Sequence, residues 1–249
     1  MDYNKIQPIG ELYTCLQGEG KYMGVPHILI RVSGCRLRCQ FADSFCDTPY
    51  ASWKPEKGKY TLQDVKEFYE SNPQVNHTMI TGGGPTIHGE LLQELCNLGV
   101  RYDHIVTIET EGSEFVQTKA HCISLSPKLS NSTPRPGTWM DYANREVTEK
   151  DKQLHEKWRC NYTAMKDLID YHEDYQLKPV ISSEEDLKEV KELQKRLDIP
   201  NDMVWLMPEG LTPEQLNERR TWLMELCEQE GYNFTDRLHI IAYGDKRGV

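Results

Sequence analysis

"HILIRVSGCRLRCQFADSFCDTPYASW", residues 27–53, changes character at Gly34. Before that glycine the run is apolar and β-branched, the composition of a buried strand. After it, Cys35, Cys39 and Cys46 crowd into a polar loop marked by Arg36, Arg38, Gln40, Asp43 and Ser44. Fully buried core cysteines are common, but they do not cluster in polar loops. The loop therefore reads as a ligand site at the carboxyl end of a strand, the usual place for one in an α/β protein.

The rest of the chain repeats the alternation. Strands are expected at 77–84 ("HTMITGGG"), 104–112, 121–128, 177–183 ("LKPVISS"), 202–210 and 237–243 ("RLHIIAY"). Helices are expected at 61–72, 89–100, 184–198 and 212–231, where apolar residues recur with helical spacing. The β-then-α order predicts an α/β fold with mostly parallel strands, as an open sheet or a partial barrel. The unusual stretches "SGCRLRC", "TGGGP", "ETEGS", "LSPK" and "MPEG" all fall at predicted strand ends, which places them around one site. Residues 129–160 break the pattern as a polar excursion, followed by a helix at about 161–172, within what reads as one domain over 1–249.

Composition limits the functional classes. The chain has 249 residues, 38% hydrophobic and 27% charged, enough for a full core. No leader-like or bilayer-length apolar run is visible, so a cytoplasmic protein with no membrane partner is expected. A net charge of −10 argues against nucleic-acid binding through phosphates. In such a protein the eight cysteines are not expected to form a disulfide framework. Cys15, Cys96, Cys122, Cys160 and Cys227 are scattered and read as core residues.

Three thiolates suit zinc, copper(I) or an iron–sulfur cluster. The spacing C-x3-C-x6-C lacks the second knuckle of a structural zinc site. Three cysteines on a four-iron cluster leave one iron open, which is a catalytic feature.

The strand, the cysteine triplet and "TGGGP" resemble the radical S-adenosylmethionine (SAM) superfamily. Within it, "LQGEG" (16–20), "RVSGC" (31–35), "CDTPYASW" (46–53), "TGGGP" (81–85), "ETEGS" (109–113), "LSPK" (125–128), "MPEG" (207–210) and "LHIIAYGDKRGV" (238–249) resemble the 7-carboxy-7-deazaguanine synthase (QueE) family. The resemblance spans essentially the whole chain. It implies a partial (β/α) barrel of the radical SAM type. It also implies conversion of 6-carboxy-5,6,7,8-tetrahydropterin to 7-carboxy-7-deazaguanine by radical ring contraction, toward queuosine-type nucleotides. The implied cofactors are a [4Fe–4S] cluster, SAM and Mg²⁺; the implied partners are the small pterin substrate, an electron donor such as flavodoxin, and a second copy in a homodimer.

By the same resemblance, Cys35, Cys39 and Cys46 hold the cluster, and Thr48 offers Mg²⁺ a hard oxygen ligand. Gly82, Gly83, Gly84, Thr110, Ser113, Ser126 and Lys128 face SAM. Gln17, Glu19, Arg31, Thr81, Glu109, His239 and Val249 face the substrate. Arg31 inside an apolar run needs a partner when buried, and a substrate carboxylate is one candidate. The glycines equally suit a turn with positive φ, and a lone His239 equally suits a satisfied core position.

Two features depart from the family pattern. "QFADSF" makes the Cys39–Cys46 spacing four residues longer than the family's C-x3-C-x2-C. The family's "GGEP" is "GGGP", so Gly84 stands where an acidic residue normally sits near the SAM amino group, and weaker recognition of that group is expected. The competing readings are another small radical SAM enzyme, such as a glycyl-radical activase, and a zinc-stabilised binding module.

Overall fold

A computed structural model describes residues 1–42 and 44–249. Asp43, one of the polar markers of the cysteine loop, lies outside the described residues. In chain order the elements are β1 (Ile9–Leu16), β2 (Pro26–Val32), α1 (Leu62–Ser71), β3 (His77–Gly82), α2 (Gly89–Arg101), β4 (Ile105–Thr110), β5 (Cys122–Leu125), β6 (Trp139–Met140), β7 (Arg145–Glu146), α3 (Glu149–Trp158), α4 (Tyr162–Tyr171), β8 (Asp174–Leu177), β9 (Val180–Ile181), α5 (Asp186–Leu197), β10 (Trp205–Pro208), α6 (Pro213–Glu230), β11 (Asn233–Phe234) and α7 (Leu238–Tyr243).

The main sheet runs β1-β2-β3-β4-β5-β8. Only β1 is antiparallel to its neighbour; the other pairs are parallel. A second parallel sheet, β11-β10-β9, follows, and a parallel bridge from Leu177 to Val204 links the two. The result is the open, mostly parallel α/β architecture expected of a partial barrel. Strand β2 buries Ile28, Ile30 and Val32 on one face, while Leu29 and Arg31 on the other face are only partly buried. Helix α1 buries Leu62, Val65 and Tyr69 on one face, and the Thr61 side chain caps its start. Helix α2 adds Leu91, Leu92 and Leu95, each at most 4% exposed. Each such burial contributes roughly 2–3 kcal/mol.

Four expectations change. The run 237–243 is not a final strand: Leu238–Tyr243 is helix α7, and His239 lies on it. Of its apolar residues only Ile240 is buried, while Leu238, Ile241 and Tyr243 are more than a third exposed. The predicted strand 177–183 is split, because Pro179 has no N–H to offer a ladder and divides β8 from β9. Strand β1 was not foreseen, since Gly10 and Glu11 interrupt its apolar pattern. The excursion holds the β6–β7 hairpin and α3 before the expected α4.

The excursion packs against the cysteine loop. Gln40 N–H donates to Ser132 O at 2.9 Å, and Arg135 N–H donates to Gln40 Oε1 at 2.7 Å. Arg38 N–H donates to Nδ1 of the fully buried His155 at 3.2 Å. Trp53, Met140 and Val147 form a small core beneath these contacts. This segment therefore buttresses the loop that carries the cysteines.

Candidate active site

Parallel strands end on one side, and there the residues following β2, β3, β4 and β5 converge on a cavity of about 380 Å³. Cys35, Cys39, Cys46, Thr48, Gly82, Gly83, Thr110, Ser126 and Lys128 line it, as do Gln17, Glu19, Arg31, Thr81, Glu109, His239 and Val249. Two expected residues, Gly84 and Ser113, stand behind the wall.

The long spacing between the second and third cysteines is absorbed by a hairpin. Gln40 pairs with Phe45 across it, and Phe41 N–H donates to Ser44 O at 2.8 Å. At its base Cys46 N–H donates to Cys39 O at 3.2 Å. The inserted residues thus fold on themselves and bring the two cysteines to opposite sides of one hydrogen-bonded pair. Phe41 is buried beside Leu37, and Phe45 meets Trp53 edge-on, which anchors the hairpin.

Burial raises all three thiols above their ordinary pKa. Glu111 and Cys39 add to the effect at Cys35, Cys46 adds to it at Cys39, and Asp47 adds to it at Cys46. Lys128 opposes it at Cys39. Three enclosed thiols that raise one another's pKa become thiolates when positive charge arrives among them, and a multi-iron cluster supplies that charge.

The glycines have a protein-packing reason. Gly82 has φ +154°, and a Cβ there would strike the Val32 backbone. A Cβ on Gly83 would strike Ala51 O and Gly34 O. Gly84 N–H donates to Gly34 O at 2.8 Å, and Gly34 N–H donates to Ala51 O at 2.8 Å. The "TGGGP" turn therefore locks onto the backbone of the cysteine loop.

The opposite wall is charged. Lys178, 1% exposed, donates to Glu19 and, at 3.0 Å, to Glu109. Arg237 donates to Glu19 at 3.0 Å, to Gly210 O at 2.7 Å and to Asp47. Burial alone would raise the Glu19 pKa, but Lys178, Arg237 and then His239 outweigh it and hold the carboxyl well below the usual range. His239 is driven the other way, its pKa lowered chiefly by desolvation against the pull of Glu19. Its ring sits where a Cβ on Gly18 would project, so the glycine in "LQGEG" admits helix α7. Arg31 donates to Glu11 at 2.6 Å, the partner its burial required.

Sequence reasoning missed Lys178, Arg237, Asp47, Glu11 and Glu111. Lys178 and Arg237 each begin an apolar run, "KPVI" and "RLHII". The buried-charge argument applied to Arg31 would have found both.

A mostly parallel α/β sheet with three cysteines in one loop, opposite a polar substrate wall, defines a radical SAM enzyme. The chain is 37% identical over 241 residues to 7-carboxy-7-deazaguanine synthase of Rhodopirellula baltica, covering 97% of this chain and 88% of the relative. It is 33% identical to the enzyme of that name from Halobacterium salinarum, covering 96% and 91%. The chain belongs to the 7-carboxy-7-deazaguanine synthase family. The crystal structure of QueE from Escherichia coli shares the fold, with a TM-score of 0.63 at 20% identity over 93% of this chain and 94% of that one. No protein-family model matches the chain.

Proposed function

We propose that this enzyme contracts 6-carboxy-5,6,7,8-tetrahydropterin to 7-carboxy-7-deazaguanine. The observation that carries the reading is the meeting, in one cavity, of the cysteine triplet with a wall of fixed charges. Cys35, Cys39 and Cys46 would hold the [4Fe–4S] cluster. With SAM and one electron, the cluster supplies the radical that starts the reaction. The residues around it bind, orient and exclude water.

Glu19 stays ionised beside Lys178 and Arg237, ready to accept hydrogen bonds from the pterin's amino and ring N–H groups. Glu109 and Gln17 extend that edge, with Thr81 beside them. Arg31, tied to Glu11, keeps a positive charge for the substrate carboxylate. His239, neutral because of desolvation, offers a ring nitrogen as a hydrogen-bond partner rather than a second cation. Val249 closes the cavity beside Arg247.

Thr48 lies at the cavity wall with its Oγ1 3.5 Å from Cys46 Sγ, next to Asp47. A hydroxyl beside a carboxylate is a hard oxygen pair suited to Mg²⁺. A flavodoxin-like electron donor, a homodimer and a cytoplasmic location complete the proposal. No helix among the described residues is long and apolar enough to cross a membrane.

The test is anaerobic turnover of cluster-loaded protein with SAM, a reductant and the tetrahydropterin, read by the mass of the product. SAM cleavage without 7-carboxy-7-deazaguanine would leave another small radical SAM activity. A colourless, zinc-bearing protein would leave the binding module.

A further inference from the structure

Glu111 follows β4, is 4% exposed and lines the cavity beside the cysteines. Its carboxylate accepts from Ser113 Oγ at 2.6 Å and from Thr110 Oγ1 at 3.4 Å. Glu19 and Asp47, in the same cavity, are paired with Lys or Arg; no Lys or Arg among the described residues makes an ion pair with Glu111. Lys128 touches it only through its field, with its ammonium committed to Ser126 O and Oγ at 2.9 and 2.7 Å. A buried carboxylate without its own cation is costly when ionised, and a ligand that donates to it would offset that cost.

The second observation comes from the neighbouring strand end. A Cβ built on Gly84 would lie 2.6 Å from Glu111 Oε1 and 3.0 Å from Oε2. The Glu111 carboxylate therefore fills the space into which a side chain at position 84 would grow. Gly84 has φ −146° and ψ 94°, ordinary extended values, so its backbone does not require glycine. Glycine at 84 leaves open the space that the Glu111 carboxylate occupies.

We propose that Glu111 accepts hydrogen bonds from the α-amino group of SAM, and that the acidic function expected after β3 has moved to the end of β4. Glu111 and the cluster cysteines Cys35, Cys39 and Cys46 line the same cavity. On this proposal, the contact expected at position 84 is supplied from the adjacent strand instead. This inference rests on the radical SAM reading.

The test is equilibrium binding of SAM to anaerobically reconstituted protein, with iron and sulfide measured for every variant. Glu111→Gln keeps the shape and the Ser113 bond but removes the charge. It should weaken SAM binding about ten- to a hundredfold at unchanged iron content, the range of one charge-assisted hydrogen bond. A SAM analogue lacking the α-amino group should bind wild type and Glu111→Gln alike. The swap Gly84→Glu with Glu111→Gly should recover most of the SAM affinity that Glu111→Gly alone loses. Gly84→Glu alone should bind SAM more weakly, because two carboxylates then compete for one space. Glu111→Gln protein that binds SAM like wild type overturns the assignment, as does an equal loss for SAM and its desamino analogue. If Glu111→Gln assembles no cluster, the swap decides, and a swap that binds no better than Glu111→Gly overturns the proposal. Cluster-loaded wild type that binds no SAM would instead defeat the radical SAM reading.

Discussion

The guanidinium carbon of Arg247 lies 3.6 Å from the centre of the Tyr50 ring. The same side chain donates to Glu11 and, at 3.0 Å on each of two nitrogens, to Glu56. Glu56 is pushed down to about 2, first by its hydrogen bonds from Arg247. One arginine thus holds residues 245–249 against the cavity that they line. Arg247→Ala should raise the KM for the pterin severalfold while cluster content and SAM affinity stay unchanged. The loss of stability should be about 1 kcal/mol or less, because the contacts are partly exposed. Unchanged steady-state kinetics would show that the segment closes nothing.

Lys178 compensates two carboxylates at once. Lys178→Met leaves Glu19 with Arg237 only and removes the cation from Glu109. A cost of about 3–5 kcal/mol follows from breaking a buried ion pair, readable in the denaturant midpoint. Adding Glu109→Gln should return part of that stability. Failure to return any would mean that Lys178 acts by packing.

The cysteines separate into two groups. Cys35→Ala, Cys39→Ala and Cys46→Ala should each abolish cluster assembly and turnover. Cys96→Ala and Cys227→Ala should keep the iron and the activity, since both thiols are buried in the main core. A triplet variant with a full complement of iron would remove the basis of the site.

Turnover should be stimulated by Mg²⁺ through Thr48. Thr48→Val preserves the shape and the backbone bond from Ala51 N–H to Thr48 O, 2.9 Å, while deleting the oxygen ligand. The Mg²⁺ concentration for half-maximal rate should rise. An identical Mg²⁺ dependence excludes the ligand role.

Acid should unfold the protein early. His27 and His155 are fully buried and pushed down to about 4 by desolvation; His77, His104, His172 and His239 are lowered for the same reason. Between the folded and unfolded pKa the unfolded chain binds more protons, so stability rises with pH in that window. It should therefore fall as pH drops from about 6.5 toward 4, by up to about 3 kcal/mol for each of the two fully buried rings. A flat melting temperature from pH 7 to pH 4.5 would contradict the neutral burial of these rings.

The fold was legible where one periodicity dominated. "HILIRV" and "HTMITG" concentrate apolar and β-branched residues, and α2 and α5 carry clear helical spacing, so those elements fall where the sequence puts them. "RLHIIAY" failed because five apolar or aromatic residues in a short run suit either structure; in the fold, Leu238 N–H donates to Gly18 O at 3.0 Å at the start of the helix. Helix α3 has little apolar stripe; its one local signal is Thr148 three residues before Asp151, a reciprocal cap that the structure forms. The cysteine triplet was visible because chemistry concentrates it in one loop. The Glu111–Gly84 exchange was not, because it depends on two strand ends lying side by side.

The ion-pair chain Glu109–Lys178–Glu19–Arg237–Asp47 joins residues 69, 159, 218 and 190 positions apart. Closing loops of that size costs entropy before any contact returns it. The charged wall is therefore expected to form late on the folding pathway, after the sheet that positions its segments. Contacts made that late act on the unfolding rate more than on the folding rate. Variants that break the charged wall should therefore unfold faster, with little change in the folding rate.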